Sequence, residues 1–148
     1  MTFHRSSHAV YECQYHIIWS TKYRKRALTL EHEKEYCEKI IIKAAAEYGM
    51  QVLVIEVDTD HVHVQIEIPP QRSVGSAIGI LKSVSARMMF KRFSYLKKKF
   101  WSGEMWGASY FVRSVGEGVN AAMVQRYISK HGEKAMQPAQ MSFFRKEK

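Results

Sequence analysis

The stretch DTDHVHVQIEIPP, residues 58–70, constrains the fold more than any other part of the sequence. Valine or isoleucine occupies every second position from Val62 to Ile68, a pattern typical of a β-strand with one buried face. The preceding segment MQVLVIEV indicates another strand, a short acidic turn joins the two, and Pro69 and Pro70 end the second. The sequence therefore predicts a β-hairpin at its centre.

Strand and helix patterns alternate along the rest of the chain. Residues 9–20 alternate as a first strand, 29–49 have helical spacing between a possible N-cap at Thr29 and a C-terminal cap at Gly49, and 109–115 form a fourth strand. Ser73 can cap a long helix that ends by about Lys99. Its predicted buried stripe comprises Ala77, Ile78, Leu81, Val84, Met88 and Phe93.

A short final helix is predicted from about residue 120 to 131, which gives the order βαββαβα. Short connections and right-handed crossovers favour an α+β fold of split βαβ (ferredoxin/RRM-like) type, with a four-stranded antiparallel sheet and helices on one face. Its first and third strands lie in the middle. We predict one domain over residues 1–148, with 133–148 as a flexible tail.

Charge and cysteine content indicate the kind of partner and the cellular compartment of the protein. The chain carries a formal charge of +9, and no acidic residue lies between Ile68 and Gly103, where eight basic residues fall. Such a surface favours nucleic acid as a partner. Cys13 and Cys37 provide neither a disulfide framework nor paired zinc ligands. Together with the lack of a signal peptide or membrane-spanning run, this predicts a cytoplasmic protein with no membrane partner.

The two histidines of the central strand are candidate metal ligands. Because Val62 and Val64 point toward the helices, His61 and His63 must point to the open face, roughly 6–7 Å apart along one side of the strand. Imidazole binds divalent transition ions, so the pair suits a metal site. A pair of surface histidines without function explains the same pattern, and a third donor would separate the two interpretations.

The final helix offers further donors. Tyr127 and His131 are four residues apart and therefore project from the same helical face. His131 is the candidate third ligand. The ordinary alternatives are a packing role for Tyr127 and a helix-dipole role for His131.

Several segments, taken in order, carry a resemblance to a known family. They are YECQYHIIWSTKYRKRAL, DHVHVQIEIPP, KSVSARMMFKRF, FWSGEMWGASYFVRSVG and the late helix with Tyr127. Over about residues 9–132 the chain resembles the small single-tyrosine HUH transposases of insertion sequences, the TnpA type, to which transposases associated with chromosomal palindromic repeats are close relatives.

The resemblance implies a function and a set of roles. These enzymes cut and rejoin single-stranded DNA as homodimers with composite active sites, recognise hairpins at element ends and form a 5′-phosphotyrosine. On matching positions, His61 and His63 would bind Mg²⁺ or Mn²⁺ and Tyr127 would be the nucleophile. Family members commonly have glutamine where this chain has His131, which leaves the choice of ion open.

Other side chains receive DNA-binding roles from their chemistry. Four cations on the second helix can follow a hairpin backbone, namely Lys82, Arg87, Lys91 and Arg92. Trp101, Trp106 or Tyr110 can stack on unpaired bases, or else seal the core or a dimer interface.

Three alternatives to an insertion-sequence transposase stay open. One is a domesticated relative that acts on chromosomal palindromic repeats, and another is a phosphodiesterase that uses water, with Tyr127 structural. The third is a non-catalytic nucleic-acid-binding module. That module predicts aromatic residues at the centre of the third strand, where this chain has histidine, glutamine and glutamate.

Overall fold

The computed structural model describes residues 4–5 and 10–115. The chain separates into two compact units, Met1–Ser114 and Val115–Lys148, and the elements given below lie in the first unit apart from Val115. The late helix predicted at 120–131 and the tail predicted at 133–148 fall outside the described residues. The prediction of one domain over the whole chain therefore stays a prediction.

The described residues contain two sheets. A small antiparallel sheet pairs β1 (His4–Arg5) with β2 (Val10–Tyr11). The larger sheet has the order β4-β5-β3-β6, and its strands are β3 (Gln14–Ser20), β4 (Gln51–Val57), β5 (His61–Glu67) and β6 (Phe111–Val115). The predicted four-stranded antiparallel sheet is confirmed, with the predicted first and third long strands, β3 and β5, in the middle.

Cross-strand register separates a buried face from an open one. In the antiparallel pairing of β3 with β5, Ile17 lies opposite Val64 and Trp19 opposite Val62, and all four side chains are buried. Together with buried residues of the helices, these side chains form one hydrophobic core. The period of two then places the alternate residues of both strands on the other face. Strand β4 pairs with β5 as an antiparallel hairpin, with one shift in register between Val52 and Val54.

Helix α1 spans Glu31–Glu47, and its start differs from the prediction whereas its end agrees with it. At the start, Leu30 rather than Thr29 is the N-cap, because the side chain of buried Glu33 folds back and accepts a hydrogen bond from the Leu30 N–H at 3.1 Å. At the end, Gly49 adopts φ +76°, as predicted for a C-terminal cap. The chain then turns directly into β4.

Helix α2 spans Val74–Arg92, and the hydroxyl of Ser73 accepts a hydrogen bond from the Ser76 N–H at 3.0 Å, as its predicted capping role requires. Its buried stripe is shifted from the prediction. Ser85 and Met89 are buried, whereas Val84 and Met88 are only half-buried. The reason is tertiary, since the Trp106 indole N–H donates to the Ser85 hydroxyl at 2.9 Å.

The sequence predicts that this helix ends by about Lys99, and the structure places its end earlier. It stops at Phe93, whose backbone leaves the helical region, and a separate short helix α3 follows at Leu96–Lys99. The break lets Phe93 pack edge-on against Tyr36 at 5.6 Å between ring centroids, and the Tyr95 hydroxyl then donates to Glu33. Within the described part of the chain, none of the helices is long and apolar enough to cross a membrane.

Candidate functional site

The open face of the sheet carries the histidine pair where the sequence predicts it. Along β5, half-buried His61, His63 and Gln65 alternate with the buried Val62 and Val64. Strand β5 is hydrogen-bonded on both sides, to β3 and to β4. The two imidazoles therefore stand on a stiff central strand, which is a sound support for a binding site.

A carboxylate fixes the first imidazole. The Nδ1 of His61 lies 2.9 Å from Oδ1 of Asp60, and the other carboxylate oxygen accepts from the Arg24 guanidinium at 3.4 Å. The hydrogen bond from His61, and then the positive charge of Arg24, lower the pKa of Asp60. Because an ionised carboxylate only accepts hydrogen bonds, Nδ1 of His61 carries the proton and Nε2 is the nitrogen that can bind an ion.

A third histidine, from the neighbouring strand, contacts the second imidazole. Nδ1 of His16 lies 3.1 Å from Nε2 of His63, and the ring centroids are 5.2 Å apart. One of these nitrogens donates and the other accepts. His16 and Gln14 of β3 share this face with the histidine pair, since the Gln65 amide also donates to Gln14 at 3.2 Å. An ion at His63 would bind through Nδ1 or replace the contact with His16.

The described residues do not form a complete metal site. Within residues 4–5 and 10–115, no three His, Cys, Asp or Glu side chains are grouped so that they could hold a metal ion. The predicted third ligand, His131, and the predicted nucleophile, Tyr127, lie outside these residues. Two imidazoles on one face, one of them held by a carboxylate, still fit a divalent transition ion as a partial ligand set.

The four predicted DNA-binding cations all lie on α2, and they differ in their contacts and exposure. The ammonium of Lys82 donates to the carbonyls of Gly107 at 2.7 Å and Ser109 at 3.1 Å, and desolvation lowers its pKa. Lys82 thus anchors the loop before β6. Arg87 and Lys91 are exposed, and so is Arg92, whose guanidinium lies 5.7 Å from the Tyr36 ring.

The position of α2 separates these cations from the histidines. Residues Ala77 and Leu81 of the helix are fully buried in the core, together with Val62 and Val64 of β5. The exposed side of α2 is therefore on the helix layer, whereas the imidazoles are on the opposite face of the sheet. The structure does not bring the two predicted groups together, and their contacts with DNA stay predictions.

The tryptophans and Tyr110 have three different environments. Trp106 is buried, packs edge-on against Trp19 at 5.9 Å and donates to Ser85, so it seals the core rather than stacking on a base. Trp101 is exposed. Tyr110 is partly exposed, with the Lys82 ammonium 5.7 Å from its ring centroid.

Two features near the site were missed in the sequence. The contact of Asp60 with His61 had a signal, since an acidic residue directly before a histidine can turn back onto its ring. The left-handed backbone of Tyr23, an exposed residue just beyond β3, had none, because residues other than glycine seldom adopt φ 59°.

Comparisons with known proteins agree with this fold and sequence. The sequence profile of the family described as "Transposase IS200 like" matches residues 9–131. The ISDra2 transposase TnpA of Deinococcus radiodurans is 37% identical over 125 residues, which cover 84% of this chain and 88% of that protein. The transposase for insertion sequence element IS200 of Salmonella typhimurium is 35% identical over 137 residues, covering 92% and 88% of the two chains.

A solved structure supports the same assignment. The crystal structure of a Deinococcus radiodurans R1 protein described as a transposase superposes with a TM-score of 0.69 at 34% identity. The alignment covers 88% of this chain and 99% of that one.

Proposed function

Because this chain belongs to the family of IS200-like transposases, and is therefore a transposase, we propose that it cleaves and rejoins single-stranded DNA at insertion-sequence ends through Tyr127. The observation that carries the proposal is the pair His61 and His63 on the open face of the central strand, with His61 held by Asp60. This arrangement suits the binding of an ion beside a scissile phosphate.

In this proposal the metal ligands are His61, His63 and His131, and the ion is Mg²⁺ or Mn²⁺. When bound, the ion neutralises phosphate charge and makes the phosphorus a better electrophile. Asp60 holds the His61 ring so that Nε2 is presented to the ion. A set of three imidazoles favours Mn²⁺ over Mg²⁺.

Tyr127 is the proposed nucleophile. Its phenolic oxygen attacks the phosphorus, the bond from phosphorus to the 3′-oxygen breaks, and the leaving oxygen takes a proton to become a 3′-hydroxyl. The product is a 5′-phosphotyrosine. A free phenol has a pKa of about 10, so the proton of Tyr127 must pass to a base or to water as the new bond forms.

Rejoining reverses this exchange. The 3′-hydroxyl of another strand attacks the same phosphorus, the phosphotyrosine bond breaks, and Tyr127 regains its proton. One phosphate ester replaces another at each step, so no nucleotide has to be hydrolysed. Consistently, the sequence has no GxxxxGKS loop for a nucleoside triphosphate.

The proposed partners are hairpins at element ends and a second copy of the chain. The formal charge of +9, with exposed Arg87, Lys91 and Arg92 on the helix layer, suits a phosphate backbone. The homodimer, and composite sites in which Tyr127 serves its partner's histidines, follow from the family resemblance. Both belong to the proposal.

A covalent trap tests the chemistry. The protein is incubated with a labelled single-stranded hairpin oligonucleotide and Mn²⁺, and an adduct is sought after denaturing electrophoresis. Tyr127→Phe and His61→Ala should abolish the adduct. Tyr48→Phe is the matched control, since Tyr48 is exposed at the end of α1 and should not affect the adduct.

Each other result points to a different function. Cleavage that persists in Tyr127→Phe would indicate hydrolysis by water. Binding of the hairpin without cleavage, under any divalent metal, would indicate a non-catalytic nucleic-acid-binding module. Either result overturns the proposed mechanism.

A further inference from the structure

An open groove of about 380 Å³ lies at the end of β3, beside the histidine pair. Its lining includes the open-face residues Ile18 and Ser20, together with Tyr23, Arg24, Tyr110 and Phe111. We refer to it as the Tyr23 groove. Ser20 lies directly opposite His61 and Ile18 directly opposite His63, so one strand spacing separates the groove from the imidazoles.

The backbone presents Tyr23 to solvent in an uncommon conformation. In the 3-10 turn Lys22–Arg24, Tyr23 has φ 59° and Arg24 has φ 53°, a left-handed region that residues other than glycine seldom occupy. Hydrogen bonds from Lys22 N–H to Met105 at 2.8 Å and from Arg24 N–H to Thr21 at 2.9 Å fix the turn. Such strain tends to persist at functional sites, where surrounding contacts hold it in place.

The exposed rings of the groove lack partners in the core. Tyr23 is 74% exposed and Phe111 is 56% exposed, although large aromatic side chains normally bury most of their surface. The groove walls contain no acidic residue among the lining positions, and the Arg24 side chain is 69% exposed. Aromatic faces next to an exposed guanidinium are the combination that single-stranded nucleic acids use for base stacking and backbone neutralisation.

We propose that the Tyr23 groove binds an unpaired nucleobase of the DNA strand next to the phosphate at His61 and His63, with the base stacked on Tyr23. The inference rests on the proposed function for the identity of the strand. Arg24 links the two regions, because its guanidinium contacts the same Asp60 carboxylate that holds His61. A base in the groove would thereby fix the strand relative to the imidazoles.

A measurement of DNA binding in the absence of divalent metal, and so without cleavage, tests whether the groove binds a base. Fluorescence anisotropy is measured with the full chain in EDTA and a labelled oligothymidylate of about 12 nucleotides, a length typical of one single-strand binding site. Tyr23→Gly removes the ring and keeps the backbone, since glycine adopts positive φ freely. Affinity should fall about 5- to 100-fold in Tyr23→Gly and stay within about twofold in Tyr23→Phe.

Two controls isolate stacking. Tyr48→Ala, which removes another partly exposed tyrosine at the end of α1, should bind like the wild type. A strand of abasic deoxyribose phosphates of equal length has no base to stack, so wild type and Tyr23→Gly should bind it equally. Equal loss on both strands, or no loss on oligothymidylate, would overturn the proposal. So would a Tyr23→Gly variant that binds normally but elutes as a different oligomer, which would identify a second copy as the occupant.

The groove and the catalytic mechanism can fail separately. If Tyr23→Gly binds oligothymidylate normally while Tyr127 still forms its adduct, the groove assignment is wrong and the transposase mechanism stands. If Tyr23→Gly loses affinity but the wild type forms no adduct under any divalent ion, base stacking is supported and the mechanism is wrong.

Discussion

Replacing Asp60 by alanine should weaken metal binding without unfolding the protein. The Asp60 carboxylate accepts the Nδ1–H of His61 at 2.9 Å and so sets which ring nitrogen faces an ion. Loss of such a carboxylate partner typically lowers metal affinity about 10- to 100-fold. The His61 side chain is 31% exposed, so water can replace part of the lost contact, and we expect an effect near the lower end, about tenfold.

The measurement is a Mn²⁺ titration of the full chain, by calorimetry or by the electron paramagnetic resonance signal of free Mn²⁺. Asp58→Ala is the matched control, because the Asp58 carboxylate lies in the same turn but accepts from the Thr59 N–H at 2.7 Å. Asp58 contacts His61 through its backbone N–H, which donates to the His61 carbonyl at 2.8 Å and which alanine keeps. The control should bind Mn²⁺ like the wild type. Thermal unfolding of both variants should follow that of the wild type closely, since Asp58 is exposed and the half-buried Asp60 carboxylate pairs, among the described residues, only with His61 and with the exposed Arg24 side chain.

Two results would refute this reasoning. Mn²⁺ affinity of Asp60→Ala within about twofold of the wild type would mean that the carboxylate does not orient a ligand. An equal loss in Asp58→Ala would mean that the conformation of the turn, rather than the bond to His61, controls the site.

Three other properties follow from the described contacts. Lys82→Met should lower the free energy of unfolding, measured by urea titration, by about 1–2 kcal/mol, because the Lys82 ammonium donates to two loop carbonyls. Arg87 is exposed, so Arg87→Gln should leave stability unchanged and weaken only the salt-dependent part of DNA binding. Ser85→Ala should cost about 1–3 kcal/mol, also measured by urea titration, by leaving the Trp106 N–H without its acceptor. Burial raises the pKa of Cys37 to about 12, from the ordinary thiol value of 9.0 that applies in the unfolded chain. The unfolded state therefore loses this proton first, and the free energy of unfolding should fall as pH rises from 9.0 toward about 12. This slope should be absent in Cys37→Ala.

The sheet could be predicted because its signals are local. The alternation from Val62 to Ile68 sets which side chains face the core, and a turn too short for a crossover requires β4 and β5 to pair as a hairpin. Gly49 and Ser73 mark helix ends through their own backbone and side-chain chemistry. The placement of His61 and His63 on the open face followed directly from this register.

The remaining features depend on contacts between distant segments. The buried stripe of α2 shifts to Ser85 because Trp106, from a loop, supplies an indole N–H. The helix breaks at Phe93 because that ring packs on Tyr36 of α1. Periodicity within α2 contains no information about either partner, and for the same reason it could not distinguish loop-bound Lys82 from exposed Arg87.

The most direct test of the account is to locate the covalent bond. After reaction of the wild type with a hairpin oligonucleotide and Mn²⁺, nuclease and trypsin digestion should leave a nucleotide on the peptide of residues 127–130, which Arg126 and Lys130 delimit. Mass spectrometry should find this modification on Tyr127, and only when the divalent ion is present. A nucleotide attached to any other residue, or formed equally in EDTA, would contradict the account.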